Sequence, residues 1–98
     1  LIGMTRTLAE ELGPAGIRVN LVSPGAIEGE RLDEIMNAQA QARGVDAATI
    51  RKQFSSLSPL NRLVSPADVV DMCLFLASDR AKAITGQDLN VAAGVVMY

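Results

Sequence analysis

Apolar residues along this chain recur with two different periods, and the changes of period mark the elements. Leu1, Met4, Leu8 and Leu12 stand at helical spacing opposite Arg6 and Glu10, and Gly13-Pro14 follows as a stop. Residues 1–12 therefore read as a helix whose stripe packs on a core. Ile17, Val19 and Leu21 then alternate with Arg18 and Asn20 before Leu21-Val22 run together. That is the pattern of a strand buried on at least one face and more deeply toward its end. Ser23-Pro24-Gly25 stops it, because proline has no N–H for a sheet ladder and glycine lets the backbone turn or approach a ligand closely. The chain is expected to leave the sheet there, at the carboxyl end of a strand, where open α/β sheets bind ligands.

Residues 28–58 are a polar, largely helical excursion. Leu32, Ile35, Met36 and Ala40 form a narrow apolar face and Gly44 offers a left-handed cap, so a helix is expected near residues 30–43. Asp46 can cap a second, short helix on which Ile50 and Phe54 are four apart and Leu57 continues the stripe. On pattern alone, a plain surface excursion and a functional segment are both open. Ser65-Pro66-Ala67-Asp68 is a helix start with N-cap, N1 proline and an acid near the positive end. The helix runs to about residue 77 with Val69, Met72, Cys73, Leu76 and Ala77 on one face. With no basic or histidine neighbour at helical spacing, Cys73 reads as a core thiol, not a nucleophile. Residues 87–91 alternate polar and apolar as a last short strand. Strand, helices, strand implies an α/β unit whose parallel pair is joined by a right-handed crossover.

Composition narrows the picture. The 98 residues, 49% hydrophobic, suffice for one small domain but not for a dinucleotide-binding fold with two mononucleotide halves. The chain opens inside a helical pattern without Met or cap, so it is expected to be part of a longer one. A net charge of −2 with nine scattered basic residues leaves no electrostatic footprint for nucleic acid or an anionic membrane, and neither partner is expected. The longest apolar run, residues 69–77, is interrupted by Asp71 and falls well short of the roughly 20 residues of a membrane span. The single cysteine excludes an internal disulfide and fits a reducing compartment, so a cytoplasmic location is expected. The absence of histidine excludes Ser-His-Asp and Cys-His catalysis and a His/Cys zinc cluster, and no metal site is expected.

The order and spacing of the helix at residues 1–12, Gly16-Ile17-Arg18-Val19-Asn20, Ser23-Pro24-Gly25, Pro66-Ala67-Asp68-Val69, Phe75-Leu76-Ala77-Ser78 and Ile84-Thr85-Gly86-Gln87 resemble the C-terminal part of a short-chain dehydrogenase/reductase, over nearly the whole chain. The resemblance implies part of a Rossmann-like, doubly wound parallel sheet, represented here by two strands and their helices. It implies an NAD- or NADP-dependent enzyme that moves hydride between nicotinamide and a carbonyl or alcohol carbon of a small molecule, acting as a homodimer or homotetramer. Pro24, Gly25 and Ile27 match the motif that contributes to nicotinamide binding, with the backbone of Ile27 presented to the carboxamide. Where many relatives carry a threonine this chain has Gly29, whose N–H with that of Glu30 could receive a phosphate or carboxamide oxygen. Arg31 reads as a solvated helix residue. Residues 28–58 correspond to the substrate lid, with Leu32, Met36 and Phe54 shaping the pocket. The catalytic Ser, Tyr and Lys and the Gly-rich phosphate loop are expected upstream of Leu1. Tyr98 is the last residue, has no following Lys, and is expected to be exposed or packed at an interface. The family's usual Asp-Gly-Gly turn is replaced by Ala92-Ala93-Gly94. A non-catalytic relative, a binding or scaffold protein that kept the fold, is the alternative.

Overall fold

The computed structural model describes residues 1–96, so the expectation for Tyr98 lies outside the described residues. The helices and strands run α1 (Ile2–Leu12), β1 (Leu21–Pro24), α2 (Glu30–Arg43), α3 (Ala47–Ser56), α4 (Pro66–Ala77) and β2 (Asp88–Val91). β1 and β2 pair in parallel, Leu21 opposite Asp88 and Pro24 opposite Val91. The α/β class and the parallel pair follow the sequence pattern. Among the described residues no helix is long and apolar enough to cross a membrane.

β1 starts later and ends later than the alternation predicts. Over residues 18–20 the pairing mixes side chain and backbone: the Val19 N–H donates to the Thr85 hydroxyl at 3.1 Å while its carbonyl accepts from the Gly86 N–H at 2.7 Å, and the Asn20 side chain both donates to the Ile84 carbonyl and accepts from the Gln87 N–H. The segment is paired, but not as a regular strand. At the other end Pro24 keeps its register, and the Gly25 N–H donates to the Val91 carbonyl at 3.0 Å. Proline removes only its own donor, so the ladder passes to the next residue. Arg18 fixes the opposite end of the unit. Its guanidinium donates to the carbonyls of Leu76 (2.6 Å), Ile84 (3.3 Å) and Ser78 (3.4 Å), placing a cation at the negative end of α4.

The start of α4 is the predicted one. The Ser65 hydroxyl accepts from the Asp68 N–H at 3.2 Å, the Asp68 carboxylate accepts from the Ser65 N–H at 2.8 Å, and Arg62 forms an ion pair with Asp68. The bond from the Ser65 N–H, with its hydroxyl and Arg62 adding to it, holds the Asp68 carboxyl below its ordinary value of 3.8.

Burial on the outer helices differs from the expectation. Leu1 and Met4 are exposed, at 82% and 59%, and α1 buries Thr5 and Ala9 instead. The small Ala9 allows a close approach: a Cβ placed on Gly86 would lie 3.5 Å from the Ala9 Cβ, so the helix rests on its small-residue side. Cys73 is likewise exposed and is not a core thiol. A two-stranded sheet gives α4 a narrow floor, on which Leu76 is buried while Val70, Leu74 and Phe75 remain exposed.

The excursion carries a core of its own. Leu32, Met36 and Ala40 of α2, Ile50 of α3 and Leu63 cluster together, with Phe54 packed against them. Gly44 ends α2 in the left-handed conformation, φ 67°, as expected. Asp46 stands at the N-cap of α3, but its side chain makes no capping bond; its carbonyl accepts from the Thr49 and Ile50 N–H groups. Leu57 lies beyond the last helical residue and is 65% exposed, so it does not continue the stripe.

Candidate functional site

Past Gly25 the chain runs through Ala26, Ile27, Glu28 and Gly29 into α2. Ile27 stands opposite Val64 in an isolated parallel bridge: the Val64 N–H donates to the Ala26 carbonyl at 3.1 Å, and the Glu28 N–H donates to the Val64 carbonyl at 2.7 Å. In a parallel bridge the central residue turns its own polar groups the other way. Among the described residues neither the N–H nor the carbonyl of Ile27 has a hydrogen-bond partner. Ile27 lines a cleft of about 460 Å³ formed by residues 25–32 and Ile35.

Two glycines shape this cleft for different reasons. A Cβ on Gly25 would stand 3.0 Å from both the Cα and the Cβ of Ala92, so the turn lies directly against the end of β2. Gly29 adopts φ 155°, ψ −179°, a region essentially restricted to glycine, and starts α2 without a side-chain cap. The helical ladder begins with the Asp33 N–H donating to the Gly29 carbonyl at 3.0 Å. The first-turn N–H groups before it have no intrahelical acceptor and border the cleft. Three charged side chains also line it. Glu28 is held by Arg51 of α3 at 2.7 Å, Glu30 lies in the first turn, and Arg31 is exposed.

The structure thus brings Gly25, Ile27, Gly29 and Leu32 to one cleft, with Pro24 at the preceding strand end. Met36 and Phe54 do not line it. Met36 is 3% exposed within the excursion's own core, and Phe54 packs against that core from α3. Ile35 occupies the cleft wall instead; its place three residues after Leu32 was the available signal. Val64 and Arg51, which hold the cleft's entry and side, carry no local signal, because their partners are distant in sequence. Among the described residues no group of three or more His, Cys, Asp and Glu could hold a metal ion.

Comparison with known proteins gives this geometry a context. The sequence pattern of the enoyl-(acyl carrier protein) reductase family matches residues 1–96. An oxidoreductase of Mycobacterium tuberculosis is 41% identical over 95 residues, covering 97% of this chain and 34% of the relative. Among solved structures, a short-chain dehydrogenase family protein from Francisella tularensis superposes with a TM-score of 0.89 at 31% identity, covering 96% of this chain and 39% of that one. The L-sorbose reductase of Gluconobacter frateurii, solved with NADPH and L-sorbose, superposes with a TM-score of 0.89 at 26% identity, covering 100% of this chain and 38% of that one. The chain spans about a third of the length of the curated relatives it matches. With the parallel pair, the Pro24-Gly25 strand exit and a pattern match over residues 1–96, the chain belongs to the short-chain dehydrogenase/reductase family.

Proposed function

We propose that this chain supplies the nicotinamide-side wall and, through residues 28–58, the substrate lid of an NAD- or NADP-dependent oxidoreductase that moves hydride between nicotinamide and a carbonyl or alcohol carbon of a small molecule. Ile27 carries the reading. One residue offers an unpaired N–H and an unpaired carbonyl on a cleft, the complement of a carboxamide's oxygen and NH₂ group. A 460 Å³ cleft falls within the roughly 300–1,000 Å³ of small-molecule sites. The NADPH complex of L-sorbose reductase supports the cofactor class.

The cofactor, when bound, supplies the hydride chemistry. The residues of this chain have a positional part: Ile27 orients the ring through its backbone, and Gly25 permits the close turn that brings Ile27 to the cleft. Leu32 and Ile35 give the wall an apolar surface that excludes water, while the N–H groups of Gly29 and Glu30 receive an oxygen. Met36 and Phe54 shape the lid from within, by holding α2 and α3 together. The proton-handling Ser, Tyr and Lys and the phosphate loop stand upstream of Leu1 in the whole protein, and residues 1–98 alone are inactive. Assembly as a homodimer or homotetramer and a cytoplasmic location belong to the same reading.

Ile27→Pro tests the reading, since it removes one donor that no ladder bond uses. In the intact protein, assayed with NADH or NADPH and a panel of ketones, the variant should keep its circular dichroism and lose about tenfold or more in kcat/KM, since a misplacement of about 1 Å can cost about 100-fold. Unchanged binding and turnover of both cofactors would overturn it.

A further inference from the structure

The segment that returns from α3 to α4 is held at two points, one on each side of the strand exit. At its far end Val64 bridges Ile27. At its near end the Ser58 hydroxyl donates to the carbonyl of Ala93, in the turn that follows β2. That turn continues the contact inward, because Ala92 is 5% exposed and lies against Gly25. It also meets the return segment a second time: a Cβ on Gly94 would lie 3.0 Å from the Cδ of Pro59. Gly25, the turn at 92–94, the segment 58–64 and Ile27 therefore close a ring of contacts that meets the cleft at Gly25 and Ile27.

Ser58 is the polar link in this ring. It is 4% exposed, and its hydroxyl is used twice, donating to Ala93 and accepting from the Leu60 N–H at 3.0 Å. It does not line the cleft. Ala93 has φ 50°, a conformation that costs a residue with a Cβ, so the turn is held in shape by its surroundings. We propose that Ser58 is a positioning residue for hydride transfer: it fastens the lid's return leg to the 92–94 turn, and through Ala92 it sets the place of Gly25 and hence of Ile27. The assignment rests on reading the cleft as the nicotinamide site. Removing the buried hydroxyl leaves the half-buried Ala93 carbonyl and the Leu60 N–H without the partner that joins them, and the turn loses its polar link to the return segment beneath Gly25.

The experiment compares the intact protein with Ser58→Ala and Ser58→Thr, first without ligand and then with NADH or NADPH and a ketone substrate. In the ligand-free state, amide exchange at residues 25–28 and 92–95 should be faster in Ser58→Ala, while residues 66–77 keep their protection. At a temperature well below unfolding, kcat should fall about tenfold with the cofactor dissociation constant within about twofold, and Ser58→Thr, which restores a hydroxyl, should recover most of kcat. Should Ser58→Ala fail to fold, Ser58→Cys, a weak donor of similar size, should give the same pattern at smaller amplitude. Unchanged exchange at residues 25–28 would overturn the link, and faster exchange with unchanged kcat would overturn the positioning role. A wild-type protein without oxidoreductase activity would overturn the function proposed above, leaving the exchange comparison to judge the link.

Discussion

Gly25→Ala isolates the close approach on which the cleft depends. The position carries no left-handed φ, so the added methyl acts by contact alone, and it would stand 3.0 Å from two atoms of Ala92. Ordinary carbon contacts lie near 3.5–4.0 Å, so the strand exit and the 92–94 turn must separate by about half an ångström or more. Neither side yields easily: the Gly25 N–H is bonded to the Val91 carbonyl, and Ala92 is buried. Overpacking of this kind costs about 1–3 kcal/mol. Half of the clash is with the Cβ of Ala92 and half with its Cα, so Ala92→Gly should relieve the first and not the second. Urea unfolding of the intact protein should therefore show a destabilised Gly25→Ala, and a double variant that recovers about half of the loss, a coupling that a double-mutant cycle resolves. Cofactor titration of the same variants should weaken and recover in parallel. A Gly25→Ala protein within about 0.3 kcal/mol of wild type, with unchanged cofactor affinity, would show that Ala92 gives way freely and that the approach does not shape the cleft.

Three further outcomes are expected. Arg18→Ala should destabilise the protein by about 1–3 kcal/mol in urea unfolding, because three carbonyls at and beyond the end of α4 lose a charged donor, and Arg18→Lys should recover only part. Ala93→Gly should raise stability by up to about 1 kcal/mol in the same assay, since φ 50° suits glycine and the gain is limited by glycine's greater freedom when unfolded. The carboxyl of Asp68 is lowered in the folded state, so its contribution is present above 3.8 and fades as pH falls through the lower folded value. Melting temperatures of wild type and Asp68→Asn should accordingly differ at neutral pH and converge in acid.

Features with local causes were legible in the sequence. Gly44 ends α2 and Ser65-Pro66-Asp68 starts α4 because caps involve residues within one turn of each other. The parallel pair follows from two strand patterns separated by helices, and Pro24-Gly25 marks the strand exit by backbone chemistry alone. Burial was less legible. Periodicity identifies an apolar face but not what lies opposite it, so Leu1, Met4 and Cys73 are exposed although each stands on a regular stripe. The same gap explains Met36 and Phe54: their spacing shows helix faces that pack, and the structure turns those faces toward each other, leaving Ile35 with Leu32 on the cleft. The start of β1 was missed because Asn20 and Thr85 side chains substitute for ladder bonds that alternation cannot distinguish from them.

Beside its three charged side chains, the cleft has polar groups from the backbone. Ile27 contributes an N–H and a carbonyl, because the bridge to Val64 uses only the groups of its neighbours. α2 contributes its first-turn N–H groups, because Gly29 brings no side chain to cap them. A threonine at position 29 would hold a hydroxyl in this place but could not take φ 155° without strain. The glycine therefore exchanges one side-chain contact for access to the helix end. Glu28 and Glu30 would oppose an anion there, and the ion pair of Glu28 with Arg51 lessens that opposition. A carboxamide, neutral and offering both a donor and an acceptor, suits such a surface better than a phosphate does, consistent with a nicotinamide wall at the carboxyl end of β1.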